Sequence, residues 1–130
     1  MKFSMLLLPV LVCTTLLTGC INHTAPIRNV SEAISTTHTS EQVKKAILVA
    51  GAQRGWQMTA PQNGLILATL TPRNHVAKVK ITYTAINYNI QYVSSENLNA
   101  EGGKIHKNYN RWVANLDQDI KAQLNVVDQR

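Results

Sequence analysis

The chain has 130 residues, 45% of them hydrophobic and 15% charged, with a formal net charge of +6 and a sequence pI of about 9.6. That length suits one domain and leaves no room for a second. The 13 Lys and Arg residues are scattered, with no run longer than Lys44-Lys45, so the charge marks a solvated basic surface rather than a concentrated anion-binding stretch.

The N-terminus has the parts of an export signal. Met1-Lys2 is a short basic start, Met5 to Leu17 is apolar, and Thr18-Gly19 supplies small residues. A membrane helix needs about 20 apolar residues, so this segment is too short to span comfortably. Pro9, Thr14 and Thr15 weaken it further as a permanent anchor. Leu17-Thr18-Gly19-Cys20 looks like a lipobox, the cleavage and acylation signal of bacterial lipoproteins. It implies a signal peptide over residues 1–19, a cut between Gly19 and Cys20, and lipid on Cys20. The alternative is an ordinary signal peptide that leaves Cys20 as a free thiol. Of the two cysteines, Cys13 lies in the removed segment, so Cys20 stands alone in the mature chain. An odd Cys in an exported protein needs an explanation, and acylation supplies one. Two or more acyl chains hold a protein stably at a membrane. Asp after the lipidated Cys favours inner-membrane retention in enteric-type sorting. Ile21 therefore predicts the outer membrane, facing the periplasm.

Residues 1–19 hold one of the 13 basic residues and none of the 7 acidic ones, so the mature 111 residues carry +5. An exported protein does not meet nucleic acid in its ordinary work. The expected partners are the membrane itself, an envelope protein, or an anionic glycan or lipid. Residues 20–40 are rich in Thr, Ser and Asn and read as a flexible tether, with a root-mean-square span of roughly 25 Å. Val30 and Ile34 can alternatively form a short turn there. The domain is expected over residues 41–127.

Ser40 is a natural helix N-cap with Glu41 at the positive end of the dipole. Val43, Ile47, Ala50 and Gly51 then recur at helical spacing, so a helix is predicted from Glu41 to Arg54, ended by Gly55. Gly51 on the apolar stripe permits close approach to a sheet. After Gly55 the period changes to two. Trp56, Met58 and Ala60 alternate with polar residues, Pro61-Gln62-Asn63-Gly64 is a turn, and Leu65 to Thr71 is strand-like. Ala77, Val79, Ile81 and Tyr83 alternate with Lys78, Lys80, Thr82 and Thr84, and Tyr88, Ile90 and Tyr92 repeat the pattern. Ser94 to Lys104 reads as loop. A second helix is predicted from Ile105 to Val126, with Tyr109, Trp112, Val113, Leu116, Ile120 and Leu124 on one stripe and Asn115, Asp117, Gln118 and Lys121 facing away. The expected fold is α+β: a two-layer sandwich, with a four-stranded antiparallel sheet and both helices on one face. The other face, with Gln57, Lys78, Lys80, Thr82 and Gln91, is left to solvent or a partner.

The stretch Tyr88-x-Ile90-x-Tyr92-x-Ser94-Ser95-x-Asn97-Leu98, with Ile105-His106-x-Asn108-Tyr109-Asn110-Arg111-Trp112-Val113, resembles small uncharacterised lipoproteins of Gram-negative bacteria. So does Arg73-x-His75-x-Ala77-x-Val79-x-Ile81-x-Tyr83. The likeness covers most of residues 41–125 and implies compartment and fold. It carries no activity and no site residues.

No catalytic signature stands out. Ser94, Ser95, Asn97, His106, Asn108, Tyr109 and Asn110 form a polar cluster before the second helix, where Ser and Asn also satisfy free backbone groups. His75 and His106 each lack a second His or carboxylate at metal-ligand spacing, and His23 and His38 fall in the expected tether. No Gly-x-Ser-x-Gly stretch exists, and the acids, among them Glu96, Glu101, Asp117 and Asp119, are expected in loops or on exposed helix faces. Trp56 and Trp112 are expected in the core. The sequence thus predicts a non-enzymatic binding or adaptor module without a cofactor. The positions able to bind are Lys78, Lys80, His75, Ser95, Asn97 and His106. A small-ligand binder or weak enzyme using Ser94–Asn97 with His75 or His106 is the alternative.

Overall fold

The computed structural model of the protein describes residues 23–128; the signal segment, Gly19, Cys20 and Ile21 lie outside them. In chain order the elements are β1 (Thr24–Pro26), β2 (Val30–Ala33), α1 (Ser40–Gln53), β3 (Gln57–Gln62), β4 (Leu65–Leu70), β5 (Val76–Tyr83), β6 (Asn87–Glu96), β7 (Lys104–His106) and α2 (Lys107–Asp128). The class is α+β. Five antiparallel strands form the main sheet in the order β2-β6-β5-β4-β3, and β1 pairs with β7 in a separate two-stranded sheet. Among the described residues no helix is long and apolar enough to cross a membrane.

Helix α1 begins one residue before its predicted start because Thr39, rather than Ser40, caps it. Thr39 Oγ1 accepts the Gln42 N–H at 3.1 Å, and Gln42 Oε1 accepts the Thr39 N–H at 2.9 Å. This reciprocal capping box satisfies two backbone donors, and such caps contribute about 1 kcal/mol. Val43, Ala46, Ile47, Ala50 and Gly51 are buried, as their spacing implies. A Cβ on Gly51 would stand 2.6 Å from Met58 Sδ, so the bare glycine is what lets β3 lie close to the helix. Gly55, at φ +84°, turns the chain out of α1, and the Trp56 N–H returns to the Gly51 carbonyl at 2.9 Å.

Alternation builds the sheet. Ile66 and Ala68 on β4, Ala77, Val79, Ile81 and Tyr83 on β5, and Tyr88 and Ile90 on β6 are buried. They share one core with the stripes of both helices, including Tyr109, Val113, Leu116, Ile120 and Leu124. Trp56 is buried in this core and Trp112 packs partly buried against it. Burying each such side chain contributes roughly 1.5–3 kcal/mol.

Three expectations need correction. The sheet has five strands rather than four, because β2 adds to the outer edge of β6 with Val30 opposite Ile90 and Glu32 opposite Tyr88. Much of the expected tether is therefore structured: Val30 is buried, and Ile27 and Ile34 pack against the core. Finally, Ile105 and His106 belong to β7, not to α2, since they pair with Ala25 and Thr24. Asn110 fastens this corner. Its Nδ2 donates to the Pro26 carbonyl at 2.9 Å, while its Oδ1 accepts the Arg28 N–H at 3.0 Å.

Candidate functional site

Among the described residues nothing covers the face of the main sheet opposite the core, and the strand registers arrange it in cross-strand rows. One row runs Gln57, Thr69, Lys78, Ser94 across β3, β4, β5 and β6. The next runs Thr59, Leu67, Lys80, Gln91. At about 4.8 Å between strands, each row is about 14 Å wide. A β-bulge aligns Lys78 with Ser94 and Val79 with Tyr92, so Val93 is the extra residue beside Lys78. Val93 is 53% exposed and Leu67 42% exposed, and with Gln57, Thr59, Thr69 and Lys78 they line a shallow groove of about 310 Å³. Lys78 and Lys80 are both exposed, as the alternation predicts. At the end of the face, Glu96 stands opposite Val76.

The other predicted positions are engaged locally. His75 Nδ1 bonds the Asn97 carbonyl at 2.8 Å, and its ring packs 6.2 Å from Trp112. Asn97 has φ +57° and its Nδ2 donates to the Asn74 carbonyl, tying the β4–β5 turn to the end of β6. Ser95 Oγ and Tyr92 Oη lie 2.8 Å apart. His106 Nδ1 accepts the Asn108 N–H at 3.1 Å at the start of α2, and its ring stacks on His23 at 5.9 Å. Tyr109, counted in the polar cluster, is a fully buried core residue. These groups serve turns, a helix start and packing. Among the described residues no group of three His, Cys, Asp or Glu is placed to hold a metal ion.

A second polar centre lies where the sequence predicts only solvent-facing residues. Asp117, expected on the exposed side of α2, is 1% exposed. Its Oδ1 accepts from Tyr88 Oη at 2.6 Å, and Lys121 Nζ lies 3.5 Å from its Oδ2 and 3.0 Å from Glu32 Oε1. Strand β2, the inner face of β6 and helix α2 thus meet at one charged cluster. Beside it a cleft of about 240 Å³ lies between Ile34, Thr36, Tyr88, Lys121 and Asn125. His38 closes the corner: its Nε2 donates to the Leu124 carbonyl at 2.9 Å and its Nδ1 sits 3.0 Å from Thr36 Oγ1. Spacing could have flagged Asp117, which lies four residues after Val113 and three before Ile120, on the buried stripe.

The cluster makes stability pH-dependent in two opposing senses. Burial holds the Asp117 carboxyl above its ordinary value, while the bond from Lys121 holds Glu32 below its ordinary 4.5. Burial, helped by Asp117, also pushes the Tyr88 phenol up. Because the folded form of Asp117 takes a proton more readily than the unfolded form, acidification through its raised value favours folding. Glu32 behaves oppositely: its contribution is complete above about 4.5 and is lost as pH falls through its lowered value. The stability gap between the wild type and Glu32→Gln should therefore be widest near neutral pH and shrink below pH 4.5. Urea unfolding from pH 7 to pH 3 measures it, and a gap constant across that range would contradict the assignment.

No protein-family model matches this chain, and neither curated proteins nor solved structures give a match.

Proposed function

We propose that the chain is a lipoprotein of the bacterial outer membrane, anchored by lipid on Cys20 and facing the periplasm. In this reading it is a non-catalytic adaptor whose open sheet face docks an acidic envelope protein. Leu17-Thr18-Gly19-Cys20 supports the anchor. The observation that carries the docking role is the uncovered sheet face, where Leu67 and Val93 lie exposed beside Lys78 and Lys80. Small apolar contacts within a polar rim are the anatomy of a protein interface, and paired lysines favour a partner presenting carboxylates.

Photo-crosslinking in living cells tests this, with probes at Thr82 and Gln91 on the open face, Gln118 on α2 as control, and Cys20 intact. A discrete protein adduct is expected from the two sheet positions and not from Gln118. The double variant Lys78→Glu/Lys80→Glu should reduce the adduct at least tenfold while leaving the fold intact. Equal adducts from both sides would remove the face from consideration, and adducts to lipid or glycan alone would replace the protein partner by those ligands.

A further inference from the structure

We infer that the β1–β7 end of the domain rests against anionic lipid headgroups, so that the domain stands on the membrane in one orientation. This rests on the lipid anchor at Cys20 proposed above. A tether of 20 residues would let the domain stand off and tumble. The structure removes most of that length, because β1 begins at Thr24. Four residue steps separate Thr24 from Cys20, and a chain extends at most about 3.6 Å per residue. An acylated Cys20 therefore holds β1 within about 14 Å of the headgroup layer.

The attachment is firm at the domain side. The Lys107 N–H donates to the His23 carbonyl at 2.8 Å, the Ile27 N–H to the Gly103 carbonyl at 2.9 Å, and Asn110 grips both Pro26 and Arg28. These bonds hold β1 to the body of the domain, so the short anchor keeps this corner the part of the domain nearest its point of attachment.

The surface at that corner suits an anionic leaflet. Lys104 stands opposite Pro26 on β7, and Lys107 and Arg111 follow on the first turns of α2, four residues apart and so on one helix face. All three are exposed, and none makes an ion pair among the described residues. Glu101, bridged backbone to backbone with Lys104 and lining an open cleft with Thr24, Asn99 and Lys104, sets one carboxylate against the three cations. Each basic residue near an anionic membrane strengthens association by roughly fivefold, and the effect decays within a Debye length. The short anchor chain lets these three cations reach that range when the β1–β7 end faces the headgroups.

The test uses the full lipidated protein in vesicles of phosphatidylethanolamine and phosphatidylglycerol, after mass spectrometry of the mature N-terminus. A fluorophore is placed through Glu101→Cys in one sample and Gln118→Cys in another, and lipids carrying a headgroup nitroxide act as quencher. Quenching at position 101 should exceed that at 118 by at least threefold. Lys104→Glu/Lys107→Glu should at least halve the excess. Acylated protein quenched equally at both positions overturns the orientation, and an excess unmoved by charge reversal overturns the headgroup contact. A mature N-terminus without acyl chains on Cys20 overturns the anchor, and the inference with it.

Discussion

Asp117→Ala should destabilise the protein by about 3 kcal/mol at neutral pH. The substitution removes the carboxylate that accepts from Tyr88 Oη at 2.6 Å, on a side chain 1% exposed. A buried hydroxyl left without its partner costs about 1–3 kcal/mol, and the space vacated by the carboxylate adds to that. Relief of the buried charge works in the other direction, since burial already disfavours the ionised carboxyl. The bonds win because Lys121 and Tyr88 both lean on Asp117, and Lys121 then keeps only its partly exposed partner Glu32. Asp117→Asn separates the contributions. It retains an oxygen for Tyr88 and gives up the attraction to Lys121, so it should cost only about 1 kcal/mol. Tyr88→Phe should fall between the two, and the double variant Tyr88→Phe/Asp117→Ala should cost less than the sum of its parts. Urea unfolding of the four variants gives the answer. An Asp117→Ala cost under 1 kcal/mol would mean that desolvation of the charge already cancels its bonds.

The parts of the fold that alternate over long stretches were legible in the sequence. Ala77, Val79, Ile81 and Tyr83 against Lys78, Lys80 and Thr82 leave one solution for β5, and Val43 to Gly51 leave one for α1. The uncovered face that carries Lys78 and Lys80 follows from the same parity. Short elements were not legible. Strand β1 has three residues and β2 four, and within them only Val30 is buried. The Thr, Ser and Asn of the stretch that holds them read as linker, and only the edge of β6 and the corner at Asn110 make them strands. Tertiary pairing also decided the start of α2: Ile105 fits a helical stripe with Tyr109, but pairing with Ala25 holds it in β7. Asp117 was lost for a different reason. A polar residue reads as outward-facing even on an apolar stripe, although its position requires burial and burial requires partners. Tyr88 and Lys121, distant in sequence or read as solvent-facing, are those partners.

Val30→Asp should cost about 3 kcal/mol, whereas Ser31→Asp, one residue along, should change stability by less than about 0.5 kcal/mol. The contrast follows from strand parity. Val30 is 6% exposed and paired with Ile90, while Ser31 is exposed and paired with Asn89 on the open face. A flexible tether would make both substitutions neutral, so the pair distinguishes the two descriptions of residues 20–40. The new carboxylate at position 30 would lose its water, replace a core side chain, and share the inner face of β2 with Glu32. An edge strand, however, has an escape: it can peel away and carry the charge back to solvent. The cost of Val30→Asp therefore cannot exceed the free energy of detaching β2 from the rest of the fold. Hydrogen exchange separates the regimes. If β2 stays docked, the Ile34 N–H, bonded to the Ile86 carbonyl at 2.8 Å, keeps its protection while global stability falls. If β2 detaches, that amide loses protection while β4 and β5 keep theirs, and the β6 edge it uncovers becomes available for pairing with another chain. Aggregation of Val30→Asp at concentrations where Ser31→Asp stays monomeric would then report the exposed edge directly.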